Sequence, residues 1–123
     1  MKQLLSIILL TFSSHSIAEW VEYKTKSNGD VFYYDDTRVE RNGSEIRVWS
    51  RIRYKTSVMA ASSYQSLLSL DCSEDSETIL QSTFFTDRDW IKPAMATNTN
   101  AKPKTRVKPD SATGQLISIL CKD

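Results

Sequence analysis

Five side chains suited to binding anions alternate along one short stretch of the sequence: Arg47, Trp49, Arg51, Arg53 and Lys55. In a β-strand, alternate residues point to the same face, so these five would share one side of a sheet. Cationic side chains form charge-assisted hydrogen bonds with anionic groups, and an indole ring stacks with cations. The pattern predicts a face that binds an acidic protein segment, a sulfated glycan or a lipid phosphate.

An ordinary solvated face is the alternative interpretation of these five residues. Antiparallel sheets commonly leave one face in water, where arginine and lysine are favourable and carboxylates on neighbouring strands can neutralise them.

A second basic segment precedes the C terminus, where alternate positions between Ala101 and Pro109 carry Lys102, Lys104, Arg106 and Lys108. An extended backbone would place these four cations in one row. The segment is therefore a second candidate for binding an acidic partner, although a solvated loop explains the same charges.

Several kinds of chemistry are excluded by composition. The only histidine, His15, lies in the N-terminal segment that we expect to be removed, so no histidine base remains. Neither a metal-ligand spacing nor a glycine-rich phosphate loop occurs, and no cofactor is implied. Paired carboxylates such as Asp35 with Asp36, or Asp87 with Asp89, fall in predicted turns. A non-enzymatic protein is expected.

The first eighteen residues have the layout of a secretory signal peptide. Lys2 precedes an apolar run from Leu4 to Phe12, and small residues stand three and one positions before Glu19. The apolar run is too short for a membrane anchor, which needs about 18 residues or more. We therefore expect residues 1–18 to be removed, and residues 19–123 to form a single exported domain without a membrane span.

Charge and cysteine content limit the remaining possibilities. The whole chain has 16 basic and 15 acidic side chains, and the loss of Lys2 makes the two numbers equal. No overall field would attract nucleic acid. In an exported chain the two cysteines, Cys72 and Cys121, are expected to form a disulfide, because no other cysteine or histidine remains to complete a metal site.

Hydrophobic periodicity predicts an α+β fold, with an antiparallel meander of about five to six strands and a C-terminal helix packed on it. Turn residues separate the runs of period two, most clearly at Asn28-Gly29. Ala60 to Ser63 is expected to be a link, and Thr97 to Lys108 a long loop with a short extended piece near its end. Asp110 or Ser111 would cap the helix.

The order and spacing of several short motifs resemble the surface-adhesin protein E family of small exported bacterial domains. These motifs span nearly all of residues 19–123: Ala18-Glu19-Trp20-Val21, Tyr33-Tyr34-Asp35, Val48-Trp49, Tyr54-Lys55, Tyr64 to Cys72, Trp90, and Pro109-Asp110-Ser111 leading to Cys121.

The resemblance implies an antiparallel sheet joined to a C-terminal helix by a disulfide. For the founding adhesin it implies binding of host extracellular-matrix and plasma proteins such as vitronectin, laminin and plasminogen. That adhesin is a lipoprotein, whereas neither cysteine here lies near Ala18, so no lipid anchor is evident. Both cell-surface adhesion and a periplasmic role in envelope maintenance remain open at this point.

Overall fold

The computed structural model describes residues 18–122, and the predicted signal peptide lies outside this range except for Ala18. Eight strands precede one helix: β1 Trp20–Thr25, β2 Val31–Asp35, β3 Glu40–Asn42, β4 Glu45–Val58, β5 Ala61–Asp71, β6 Ser76–Phe85, β7 Ala94–Asn98, β8 Thr105–Arg106 and α1 Ala112–Leu120.

The eight strands form one antiparallel sheet in the order β1-β2-β4-β5-β6-β7, with β3 beside β4 and β8 beside β6. The predicted antiparallel sheet with a C-terminal helix is confirmed, but the sheet has more strands than the five to six expected. The first hairpin turns at Gly29, whose φ of 97° is accessible to glycine without strain.

The longest hairpin, β4–β5, differs from expectation at its turn. Ala61, Ser62 and Ser63 are not a link but the start of β5. The chain instead turns at Met59 and Ala60, which have φ values of 50° and 71°. These are left-handed conformations that non-glycine residues seldom adopt, so the small residues after the turn were a misleading indication of where the strand begins.

The predicted long loop from Thr97 to Lys108 is also only partly correct. Its first residues belong to β7, which pairs with β6, and Thr105 and Arg106 form β8 on the same neighbour. Val107, which follows β8, is buried in the core. The segment is thus tied to the sheet at both ends.

Helix α1 covers one face of the sheet with its apolar side. Leu116, Ile117 and Leu120 are buried against strand residues that include Ile46, Val48, Leu68 and Leu70. Of the two predicted caps, Ser111 is the one used, because its Oγ accepts a hydrogen bond of 3.0 Å from Gly114 N. At the other end, Arg41 of β3 donates to the carbonyl oxygen of Leu120 at 2.6 Å.

The predicted disulfide between Cys72 and Cys121 is present, with the two Cα atoms 5.7 Å apart. Cys72 directly follows β5, and Cys121 directly follows α1. The bond therefore fastens the helix to the middle of the sheet.

Candidate binding face

The face of the sheet opposite α1, here called the outer face, carries the alternating side chains of β4. Buried Ile46, Val48 and Ser50 point to the helix side, so Arg47, Trp49 and Arg51 point away from it. Arg53 continues this row. The sequence pattern predicted this row of side chains, but the residues that contact them lie on other strands and loops.

Arg51 contacts two indole rings on the outer face. Its guanidinium carbon lies 4.1 Å from the ring centre of Trp20 in β1 and 4.6 Å from that of Trp90 in the β6–β7 connection. Its Nε donates to Gln65 Oε1 on β5 at 2.8 Å. Cation–π contacts of this kind are stabilising when the cation is partly shielded from water. Arg51 therefore links three strands and a loop.

The loop that carries Trp90 is built around Asp87. The Asp87 carboxylate accepts hydrogen bonds from the backbone N–H groups of Asp89, Ile91 and Lys92. Backbone hydrogen bonds, first that from Ile91, hold the pKa of Asp87 below its usual value. Trp90 Nε1 in turn donates to the Tyr64 carbonyl at 3.0 Å. Asp87 thus has a structural role, as the predicted turn implied.

Arg53 is bonded within the protein through all three nitrogens of its guanidinium group. Its three guanidinium nitrogens donate to Tyr33 Oη, Asp89 Oδ1 and the Arg88 carbonyl oxygen, at 3.0 to 3.1 Å. Lys55 lies beyond the regular register, where its side chain packs over Gly29. Of the five predicted residues, Arg51 and Arg53 thus hold the outer face together.

An open cleft of about 520 Å³ lies beside this cluster. We call it the arginine cleft, and it is lined by Thr37, Arg38, Val39, Glu40, Arg47, Trp49 and Leu67. Arg38 lies 5.9 Å from the ring centre of Trp49, and about half of each arginine side chain is exposed. The cleft therefore brings two cations next to an indole ring, with the carboxylate of Glu40 also in its lining. Two neighbouring guanidinium groups suit a ligand with an anionic group.

Arg38 was missed in the sequence analysis because it follows β2 and has no place in the β4 pattern. One indication was present, namely an aspartate three residues before it. Arg38 Nε donates to Asp35 Oδ2 at 2.6 Å, and Asp35 is completely buried. Burial alone would raise the pKa of Asp35, but hydrogen bonds from Thr37 and Arg38 outweigh it and lower this pKa.

The second basic segment is separate from the outer-face cluster. Strands β5 and β6 lie between β4, which carries the outer-face row, and β8, which carries Arg106. Lys104 is neutralised by Asp71 at 3.1 Å and Glu74 at 2.8 Å. Lys102, Arg106 and Lys108 are exposed.

The ion pair of Lys104 gives a prediction about acid stability. Hydrogen bonds from Ser73 and Lys104 lower the pKa of Asp71 to about 2, against about 3.9 in an unfolded chain. The ionised carboxylate therefore stabilises the fold above pH 4 or so, and this contribution is lost as the pH falls through about 2. We expect Lys104→Gln to melt below the wild type at pH 7, with the difference disappearing near pH 2.

Thermal melts followed by circular dichroism across this pH range would measure the effect. Lys102→Gln is the matched control, because it removes the same charge from the same segment without touching Asp71. A Lys104→Gln difference that is constant from pH 7 to pH 2 would show that Asp71 does not depend on this lysine.

The sequence of residues 20–122 matches the family model described as surface-adhesin protein E. This match covers most of the chain. The chain belongs to the surface-adhesin protein E family. No curated protein sequence matches it.

Solved structures of protein E from Haemophilus influenzae share the fold. One crystal form of that protein has a TM-score of 0.68 and 13% sequence identity, with 94% of this chain and 96% of that chain covered. A second structure gives 0.65 and 13%, covering 91% and 90%. A structure of protein E from a non-typeable strain gives 0.64 and 13%, covering 93% and 82%.

Membership in this family supports an adhesin-like role and an exported or surface location, and it points to a non-enzymatic protein. Within residues 18–122, no helix is long and apolar enough to cross a membrane. In the same part of the chain, no three histidine, cysteine or acidic residues are placed to hold a metal ion.

Proposed function

We propose that this protein is an adhesin that binds acidic segments of host extracellular-matrix or plasma proteins through the arginine cleft on its outer face. The family assignment supports adhesion in general. The geometry of Arg38, Arg47 and Trp49 supports this location and this kind of partner.

The observation that carries the proposal is the way these two arginines use their hydrogen-bond donors. Among the side-chain hydrogen bonds within residues 18–122, Arg38 and Arg47 each use only Nε, at Asp35 and Glu45. The terminal nitrogens of both remain for a ligand. A guanidinium group held at Nε is oriented in advance, and it can bind a carboxylate or sulfate with two parallel hydrogen bonds.

The neighbouring cluster supports the cleft rather than competing with it. Arg51 and Arg53 are held by tryptophan rings and by Asp89, so their side chains are already committed. Trp49 lies between Arg47 and Arg51 in the β4 sequence and forms part of the cleft wall. A rigid aromatic surface next to oriented cations lowers the entropy cost of binding.

The proposal predicts that Arg38→Gln with Arg47→Gln weakens binding to immobilised vitronectin and laminin about tenfold, or about 1.4 kcal/mol. The wild-type interaction should also weaken as salt is added. Surface plasmon resonance on protein with a verified melting temperature measures both effects. The matched control is Lys102→Gln with Lys108→Gln, which removes two charges elsewhere and should bind as the wild type does.

Two outcomes would contradict this assignment. Loss of binding in the control pair and not in the cleft pair would move the site to the second basic segment. Equal binding by all three proteins would exclude both basic features. Arg38 also contacts buried Asp35, so its replacement could disturb the fold. The single variant Arg47→Gln tests the cleft while leaving this contact intact.

A periplasmic role in envelope maintenance is the competing proposal, and one observation favours it. Arg47 and Arg53 each have a carboxylate partner, Glu45 and Asp89, as expected for an ordinary solvated sheet face. Protease added to intact cells distinguishes the two roles. Digestion of the protein on intact cells would support adhesion, whereas digestion only after the outer membrane is permeabilised would support the periplasmic role.

A further inference from the structure

The carboxylate of Asp35 is completely buried at the end of β2, and within residues 18–122 it accepts hydrogen bonds from three residues. Oδ1 accepts from Thr37 N at 3.0 Å and from Thr37 Oγ1 at 2.7 Å, and Oδ2 accepts from Arg38 Nε at 2.6 Å. The remaining donor is the backbone nitrogen of Glu19, 3.3 Å from Oδ1. A buried carboxylate requires such partners because it has lost its hydration.

Glu19 is also the first residue after the predicted cleavage point. Its carbonyl oxygen accepts a hydrogen bond of 2.9 Å from Asp36 N, and the next residue, Trp20, pairs with Asp35 in the sheet. The backbone of Glu19 is therefore held on both sides of its Cα. The Glu19 nitrogen is directed at Oδ1 of Asp35, whereas the Arg38 side chain binds Oδ2.

We propose that cleavage between Ala18 and Glu19 creates an α-ammonium group that forms an ion pair with the buried carboxylate of Asp35. A signal peptidase of the export machinery would hydrolyse this bond. The bond between the Ala18 carbonyl carbon and the Glu19 nitrogen breaks. The water oxygen goes to that carbon, which leaves as a carboxylate with residues 1–18, and both water protons go to the Glu19 nitrogen, which becomes the ammonium. Processing thus completes a structural site of the folded domain.

The change at Glu19 is from a neutral amide with one proton to a cation with three. A hydrogen bond with an ionised donor or acceptor is about twice as strong as one between neutral groups, and after cleavage both partners would be ionised. The nearby cations are Arg38, which is bonded to Oδ2, and Arg51. Burial, and then the charge of Arg38, lower the pKa of Arg51, whereas the charge of Asp35 raises it. Asp35 is therefore the carboxylate that the new terminus would share with Arg38.

The ion pair would also connect processing to the outer face. Trp20 follows Glu19 directly and contacts the guanidinium group of Arg51. A terminus fixed at Glu19 would hold the start of β1, the strand that carries this tryptophan. This inference is independent of the ligand and of the proposed adhesive role.

The test compares two purified proteins, one that begins at Glu19 and one that begins at Ser16 and keeps Ser16-Ile17-Ala18. Only the first places an ammonium beside Asp35. Its α-amino pKa, measured by NMR, should be about one unit above the ordinary value of about 8. The pKa is raised in the folded state, so the protein that begins at Glu19 should melt higher at pH 7 and lose this advantage as the pH rises through that pKa.

The same pair of proteins in an Asp35→Asn background completes a double-mutant cycle, and there the difference in melting temperature should vanish. If the Asp35→Asn variant does not fold, the proposal is tested by the α-amino pKa of the wild-type protein that begins at Glu19. An ordinary pKa at Glu19, or equal melting of the two wild-type proteins, would overturn the proposal. So would mass spectrometry of the exported protein showing a first residue other than Glu19.

Discussion

Replacing Cys72 with serine is expected to lower the free energy of unfolding by about 2–5 kcal/mol. The bond closes a segment of 49 positions and joins the end of β5 to the end of α1. The helix is only nine residues long, and isolated helices shorter than about 12 residues are marginal in water. Without the bond, α1 would depend mainly on the packing of Leu116, Ile117 and Leu120 and on the Arg41 hydrogen bond to the Leu120 carbonyl oxygen.

Urea denaturation under non-reducing conditions measures this effect. The double variant Cys72→Ser with Cys121→Ser is the matched control, because it has no free thiol to form intermolecular disulfides. Both variants should unfold at the same lower urea concentration, as should the wild type with a reductant present. A midpoint equal to that of the oxidised wild type would contradict a stabilising role for the bond.

Replacing Gly114 with alanine is expected to destabilise the protein by about 1–3 kcal/mol, the usual cost of overpacking a close contact. Helix propensity alone predicts the opposite sign, since alanine is the better helix former by about 1 kcal/mol. A Cβ at this position would lie 2.7 Å from the Pro109 carbonyl oxygen and also collide with that of Lys108. Both obstacles are backbone atoms, which cannot rotate away.

The matched control for Gly114→Ala is Gln115→Ala, at the next position of α1, where the side chain is exposed. This control should leave stability unchanged or slightly increased. Thermal melts of both variants distinguish the two influences. A Gly114→Ala protein at least as stable as the wild type would mean that the turn at Lys108 and Pro109 moves at little cost.

The strands that the sequence predicts are those with a buried face. Ile46 and Val48 alternate with polar residues because one side of β4 packs against α1. Strands β3 and β7 were not predicted, and β8 was expected only as a short extended piece of a loop; all three consist entirely of exposed residues. Since no core constrains their side chains, apolar and polar residues do not alternate along them, and backbone pairing with β4 or β6 defines them.

The candidate site follows the same division. The β4 pattern correctly put arginine and tryptophan side chains in a row, because alternation is a local property of the chain. Trp20, Trp90 and Arg38 come from other elements, and tertiary pairing brings them to this row. Whether an arginine is committed to internal partners or left for a ligand depends on those contacts, which a local pattern does not contain.

Protection of arginines from chemical modification is the most direct test of the binding face. The protein is treated with phenylglyoxal, with and without bound vitronectin or laminin, and each modified arginine is quantified by mass spectrometry. If the ligand binds in the arginine cleft, Arg38 and Arg47 should become several-fold less reactive in the complex. Arg106, which is exposed near α1, should stay as reactive as in the free protein. Unchanged reactivity of Arg38 and Arg47 in a saturated complex, or no binding to either protein, would contradict ligand binding in the arginine cleft.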